Sequence, residues 1–169
     1  MSITYKKILV PLDGSQLAGQ ALPYAEELAR HTGATLILLQ VVDDTTQYLV
    51  TPTGFGPTRT TSGVAMSNVD VIPINPDTDA REHALEGFKQ MLDRLAAVIR
   101  QHAIKVETSV TAGRPAEEIV DQAVAHEVDL IVMSTHGRNG LGHWTFGSVT
   151  NKVLQAAPCP VMVVRPTME

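Results

Sequence analysis

Five short runs rich in aliphatic and β-branched residues, each separated from the next by a longer stretch, decide what this chain can fold into. They are residues 7–12 (KILVPL), 34–42 (ATLILLQVV), 105–110, 129–134 (DLIVMS) and 160–165 (PVMVVR). A continuous apolar run suits a strand covered on both faces, and strands that alternate with helices build parallel sheets. The stretches between them carry helical spacing. In residues 16–32, Ala18, Ala21, Leu22, Ala25, Leu28 and Ala29 fall on one side, with Ser15 placed to cap the start and Gly33 to end it. Pro23 predicts a bend or a 3₁₀ start there. Residues 79–102 set Ala84, Leu85, Phe88, Met91, Leu92, Leu95 and Ile99 on one side. Residues 116–126 follow a Gly113-Arg114-Pro115 turn, and 147–156 precede the last run. Right-handed crossovers then predict an α/β fold with an open, doubly wound, parallel five-stranded sheet in the order 3-2-1-4-5.

Residues 43–77 break the pattern. They hold four prolines, three glycines and many threonines without a sustained period, and are expected as a long flexible loop within one domain spanning 1–169. A cover over the crevice and a disordered insertion both fit that composition.

The strand order implies a site. Between strands one and four the chain reverses direction across the sheet, and ligands of open α/β sheets bind in the crevice that this opens at the carboxyl ends. Pro11, Leu12 and Asp13 stand at one end, and Met133, Ser134, Thr135, His136 and Gly137 at the other. Residues 134–151 (STHGRNGLGHWTFGSVTN) follow, with Gly137, Gly140, Gly142 and Gly147 ahead of a helix start. Glycine lets backbone amides approach an anion closely, and a helix N-terminus adds unpaired N–H groups and a partial positive charge. Two better-known phosphate motifs are absent. Gly137 and Gly142 have P-loop spacing, but His143-Trp144 stand where Lys-Ser/Thr is required, and no GxGxxG follows the first strand.

The loop does resemble the signature of the ATP-binding branch of the universal stress protein (UspA-like) family: glycine, two residues, glycine, nine residues, then glycine with serine or threonine. Gly137 is its second glycine and Gly147-Ser148 close it. The opening KKILVPLDGS, LLQVVD, GRPAEEIV, DLIVMSTHGRNGL and the ending APCPVMVVRP carry the similarity along nearly the whole chain. The first signature glycine is Ser134 here, whose Cβ narrows the approach of a phosphate chain while its hydroxyl offers a donor. The resemblance implies a Rossmann-like, adenine-nucleotide alpha-hydrolase-like three-layer sandwich. It also implies ATP as ligand, accompanied by Mg²⁺, with Asp13 and Val41 at the adenine. Gly137, Arg138, Gly147, Ser148, Val149 and Thr150 would line the ribose and phosphates, with Gly140 in the same loop.

Simpler roles stand beside these. Asp13-Gly14-Ser15 also makes a turn and cap, Gly137 and Gly140 suit turns, and Ser148 suits a helix start. His136 and His143 lack a carboxylate partner in the sequence, and neither P-loop lysine nor general base is evident. No catalytic residue is assigned, and any ATP hydrolysis is expected to be slow, below about 1 s⁻¹. The alternatives are an interaction protein of the same fold that binds no nucleotide, and an enzyme, either a slow ATPase or a self-phosphorylating protein.

A net charge of −5 disfavours nucleic acid and anionic membranes as partners, and no run approaches the roughly 18 apolar residues of a membrane span. The single cysteine, Cys159, excludes an intramolecular disulfide. With no signal-peptide pattern at the N-terminus, the cytoplasm is the expected address. Strand five should form an apolar sheet edge, so Val161, Met162, Val163 and Val164 are expected to pair with a second copy in a homodimer, as the resemblance also implies. The sequence names no protein partner.

Overall fold

In chain order the elements are β1 (Lys7–Leu12), α1 (Gln16–Gly19), α2 (Leu22–Thr32), β2 (Thr35–Asp43), β3 (Tyr48–Pro52), β4 (Thr58–Thr60), β5 (Gly63–Ala65) and β6 (Val69–Pro73), then α3 (Thr78–Arg100), β7 (Lys105–Gly113), α4 (Pro115–Ala125), β8 (Leu130–Ser134), α5 (Ser148–Ala156) and β9 (Val161–Val164). They come from a computed structural model that describes residues 4–43, 48–52, 58–60, 63–65, 69–73, 78–135 and 146–165. The main sheet runs β7-β2-β1-β8-β9 with every neighbouring pair parallel, which is the 3-2-1-4-5 order expected from the alternation.

Both faces of the sheet are covered, and the pleat sorts each strand's residues between two cores. Ile8, Val10, Leu12, Leu36, Leu38, Val42, Leu130 and Val132 face α1, α2 and α3, where Ala18, Leu22, Ala25, Phe88, Leu92 and Ile99 meet them. Leu9, Ile37, Leu39, Val41, Ile131 and Met133 face Ile119, Ala123 and Val153 of α4 and α5. Cys159 is half-buried beside this second core, where burial pushes its thiol up, as does the nearby Asp129 carboxylate. A thiol so placed is a packing group rather than a nucleophile.

The expected helix over 16–32 is divided at Gln20 and Ala21, whose N–H groups reach back three residues to Leu17 and Ala18 at 3.2 Å. Pro23 thereby falls in the first turn of α2, where a missing N–H breaks no intrahelical bond. Gly33 closes α2 in the left-handed conformation, φ +74°. The third strand of the main sheet runs three residues beyond the expected Val110, because β2 pairs with β7 as far as Asp43↔Gly113. α3 is tied to that strand by Lys89, whose ammonium meets Asp93 at 2.7 and 2.8 Å and Thr108 at 2.9 Å. The Lys89 hydrogen bond, helped by that of Thr108, holds the Asp93 carboxyl below the usual carboxylate range.

The stretch 43–77, expected as a loop, contains strands. β3 pairs antiparallel with β6, and β4 with β5 between them in sequence, which makes two separate two-stranded ribbons. Three- to five-residue strands bounded by proline are too short to show a period in sequence. Of these strands, β3 lies beside α3 and β5 beside α1.

At the amino edge, β1 and β8 are pinned together. Asp129 Oδ2 accepts from the Lys6 and Lys7 N–H groups at 2.8 Å, and the Asp129 N–H donates to Lys7 O at 3.0 Å. The Lys7 ammonium adds a bond to His126 O at 2.8 Å. The carboxyl edge is different, and there the site begins.

Candidate functional site

β1 and β8 pair at Ile8↔Leu130 and Leu9↔Ile131, and among the described residues no further rung joins them. β1 stays with β2 as far as Leu12↔Gln40, while β8 stays with β9 as far as the bond from Thr135 N–H to Val164 O at 3.0 Å. The sheet therefore divides at its carboxyl edge between the two central strands. α1 leaves β1 on one face and α5 begins on the other, so both helix N-termini stand at this division. That is the geometry of a topological switch point.

Pro11 and Leu12 are buried and bring the chain to Asp13, which is exposed. Asp13 Oδ1 accepts the Ser15 N–H at 2.9 Å, Gly14 takes the left-handed conformation at φ +79°, and Ser15 Oγ caps α1 at the Ala18 N–H, 3.1 Å. The turn-and-cap role read from Asp13-Gly14-Ser15 is thus realised, and it fixes the carboxylate at the mouth of the division. Val41 is buried in the second core and pairs with Thr111 of β7, one residue past the last β1–β2 rung, which sets its backbone level with Asp13.

Across the division, Met133 packs in the second core and Ser134 is only 5% exposed. By pleat alternation Ser134 shares the face of Leu130 and Val132, under α1. Its Oγ is buried without a hydrogen-bond partner among the described residues. A buried hydroxyl left unpaired costs about 1–3 kcal/mol, so this atom marks a place where another polar group belongs.

α5 opens at Gly147, which is extended (φ −59°, ψ 159°) and brings no side-chain cap; its first turn holds no acidic residue. Ser148 is exposed, Val149 leans on the second core and Thr150 is buried. Asn151 contributes indirectly: its N–H reaches Gly147 O at 2.9 Å and its carboxamide N–H donates to Phe146 O at 3.1 Å, which fixes the entry to the helix. Among the described residues, the first-turn amides of α5 thus have no side-chain cap and no acidic side chain of their own turn. Topology brings Pro11–Asp13, Val41, Met133, Ser134 and the start of α5 to one edge. Gly137, Arg138 and Gly140, with His136, His143 and Trp144, lie outside the described residues.

Gln40 was not among the residues read as functional. It sits on β2 beside Leu12, is 3% exposed, and its Oε1 has no hydrogen-bond partner among the described residues. A lone carboxamide inside ATLILLQVV is the signal that could have found it, since burying such a group needs a reason.

Known proteins share this architecture. The universal stress protein MJ0531 of Methanocaldococcus jannaschii is 32% identical over 162 residues, 95% of this chain and 82% of that one. The structure of the universal stress protein UspA from Lactobacillus plantarum superposes with a TM-score of 0.71 at 28% identity, covering 97% of this chain and 100% of its own. A universal stress protein solved in complex with cAMP matches at a TM-score of 0.59 and 19% identity, covering 98% and 100%. The model of the universal stress protein family matches residues 4–165, which takes in both halves of the divided sheet and the start of α5, and the chain belongs to that family.

Proposed function

We propose that this chain is a nucleotide-binding universal stress protein that takes ATP at the divided carboxyl edge of its sheet. The observation that carries the reading is Ser134 Oγ, a buried hydroxyl with no protein partner among the described residues, at the carboxyl end of β8 on the face of α1. The residues fit such a ligand. First-turn amides and a hydroxyl suit phosphate and ribose oxygens, and the Asp13 carboxylate and Val41 backbone suit the donor and acceptor edge of adenine. That the same fold holds cAMP in one neighbour supports a nucleotide of some kind here. A magnesium ion accompanying the phosphates would be held by phosphate oxygens and water.

On this reading ATP acts by occupancy. Bridging the end of β1 to the start of α5, it favours one arrangement of the carboxyl edge, and a protein partner in a stress or signalling response reads that surface. Hydrolysis is slow or absent, and the setting is cytoplasmic. Purified chain, denatured and chromatographed, is expected to release adenine nucleotide, and the emptied protein to bind Mg-ATP by calorimetry. Neither nucleotide nor heat would leave the interaction protein without a ligand as the better reading.

The chain is further proposed to act as a homodimer through β9. Of the two outer strands of the main sheet, β7 carries Lys105, Glu107, Thr108, Ser109 and Thr111, whereas β9 is wholly apolar and pairs on one side with β8. An apolar outer strand is a template for a second copy, and a two-fold axis closes the pair. Light scattering at micromolar concentration should give twice the 18.2 kDa chain mass. A monomer mass rejects the dimer and leaves the nucleotide site standing.

A further inference from the structure

Asn151 lies in the first turn of α5 and holds the backbone ahead of the helix at two successive carbonyls. Its N–H donates to Gly147 O at 2.9 Å, and its Nδ2–H donates to Phe146 O at 3.1 Å. Helical side chains point back toward the N-terminus, which brings the carboxamide within reach of the chain before the helix. Almost any residue at this place would make the backbone bond. The second bond belongs to the asparagine side chain.

Among the described residues no other side chain bonds the Phe146–Gly147 peptide. Gly147 brings no side-chain cap, and the Phe146 side chain is 37% exposed. Glycine has the widest choice of backbone angles, so the bond from Asn151 selects one entry to the helix among several. A trans peptide is planar, with its C=O and N–H pointing opposite ways. Phe146 O drawn in toward Asn151 therefore turns the Gly147 N–H outward, ahead of α5. No acceptor for that N–H is found among the described residues. It lies beside the first-turn N–H groups that a helix leaves without intrahelical partners.

We infer that Asn151 is a positioning residue for the phosphate end of the site: it touches no ligand, and acts by holding the Phe146–Gly147 peptide so that the Gly147 N–H meets the anion. The inference rests on the nucleotide reading and adds a determinant of affinity that lies outside the ligand's own contacts. Apparent affinity scales with the fraction of chains already in the binding orientation. A released peptide that keeps this orientation about one fifth of the time binds about fivefold more weakly.

The test titrates the isotope-labelled, nucleotide-free chain with Mg-ATP. In wild type the Gly147 amide resonance is expected to move downfield as ATP saturates, the mark of an N–H that has gained an anionic acceptor. Asn151→Ala should bind Mg-ATP about fivefold more weakly by calorimetry. Its ligand-free thermal midpoint should hold within about 2 °C, because the position is exposed and alanine favours helix. Asn151→Gln keeps the amide donor on a longer stem and should recover most of the lost affinity. A role confined to helix stability predicts the reverse, a lowered midpoint at unchanged affinity. That result, or a Gly147 resonance that stays put while others in α5 move, overturns the inference and leaves the nucleotide site standing. A wild-type chain in which no resonance moves with Mg-ATP overturns the nucleotide reading itself.

Discussion

Gly147→Asp is expected to abolish nucleotide binding while leaving the ligand-free protein as stable as before, or slightly more so. Gly147 is the N-cap of α5 in an extended conformation open to any L residue, so a side chain there meets no backbone strain. Aspartate is among the best N-caps, and α5 has neither a side-chain cap nor an acidic first turn. The gain from the cap is a few tenths of a kcal/mol, with about 0.3–1 kcal/mol more from the helix dipole. That is a rise of roughly 1–4 °C in the thermal midpoint at this chain length. The same carboxylate occupies the amides that a phosphate would use and sets negative charge against it. At about 4 Å and an effective dielectric near 20, one such repulsion is worth about 4 kcal/mol. Affinity for ATP should therefore fall by more than a hundredfold, or about 2.7 kcal/mol.

The opposed signs make this variant informative. A lesion that merely damages α5 lowers stability and affinity together. Gly147→Asn separates cap from charge, since it caps about as well as aspartate but brings no repulsion, and should lose much less affinity. Unaltered binding by Gly147→Asp would remove the anion from α5 altogether.

How much of this was legible in the sequence follows from which forces act locally. β1, β2 and β8 were legible because both of their faces are buried, which leaves a continuous apolar run, and because Asp13-Gly14-Ser15 and Gly33 punctuate them. The far end of β7 was not. Ala112 and Gly113 disfavour strands on their own, and their extension is imposed by Val42 and Asp43 of β2. The two short ribbons within 43–77 were missed for the same reason, since pairing between such short strands comes from their partners. In the site, strand order alone pointed to Asp13 and Ser134, because a reversal of winding places those residues at a crevice whatever their chemistry. Gln40 was hidden by its context: within ATLILLQVV it reads as one more strand position, and only its burial with an Oε1 unpaired among the described residues sets it apart.

Ile131→Ala should be the most damaging single truncation in the fold short of the site. Ile131 is 0% exposed and packs in the second core with Leu9, Ile37, Leu39, Ile119 and Val153. It also occupies the last rung at which β1 and β8 remain paired, opposite Leu9 on one side and Val161 on the other. Alanine keeps the backbone ladder but removes three carbons from a site enclosed by strands on both sides and helices above, which leaves little freedom to collapse. The expected loss is about 3–4 kcal/mol, to be set against a total of about 5–15 kcal/mol for an ordinary domain. The thermal midpoint should fall on the order of 10 °C. Val161→Ala, at a half-buried position beside it, should cost clearly less. Nucleotide affinity measured well below the transition is the second readout. The rung lies three residues short of Ser134, and the crevice is formed by what happens beyond it. Unchanged affinity in a strongly destabilised chain would mean that the division is set by the separate partnerships of β1 with β2 and of β8 with β9. Affinity lost in proportion to stability would instead make the Leu9–Ile131 rung the hinge from which the crevice opens.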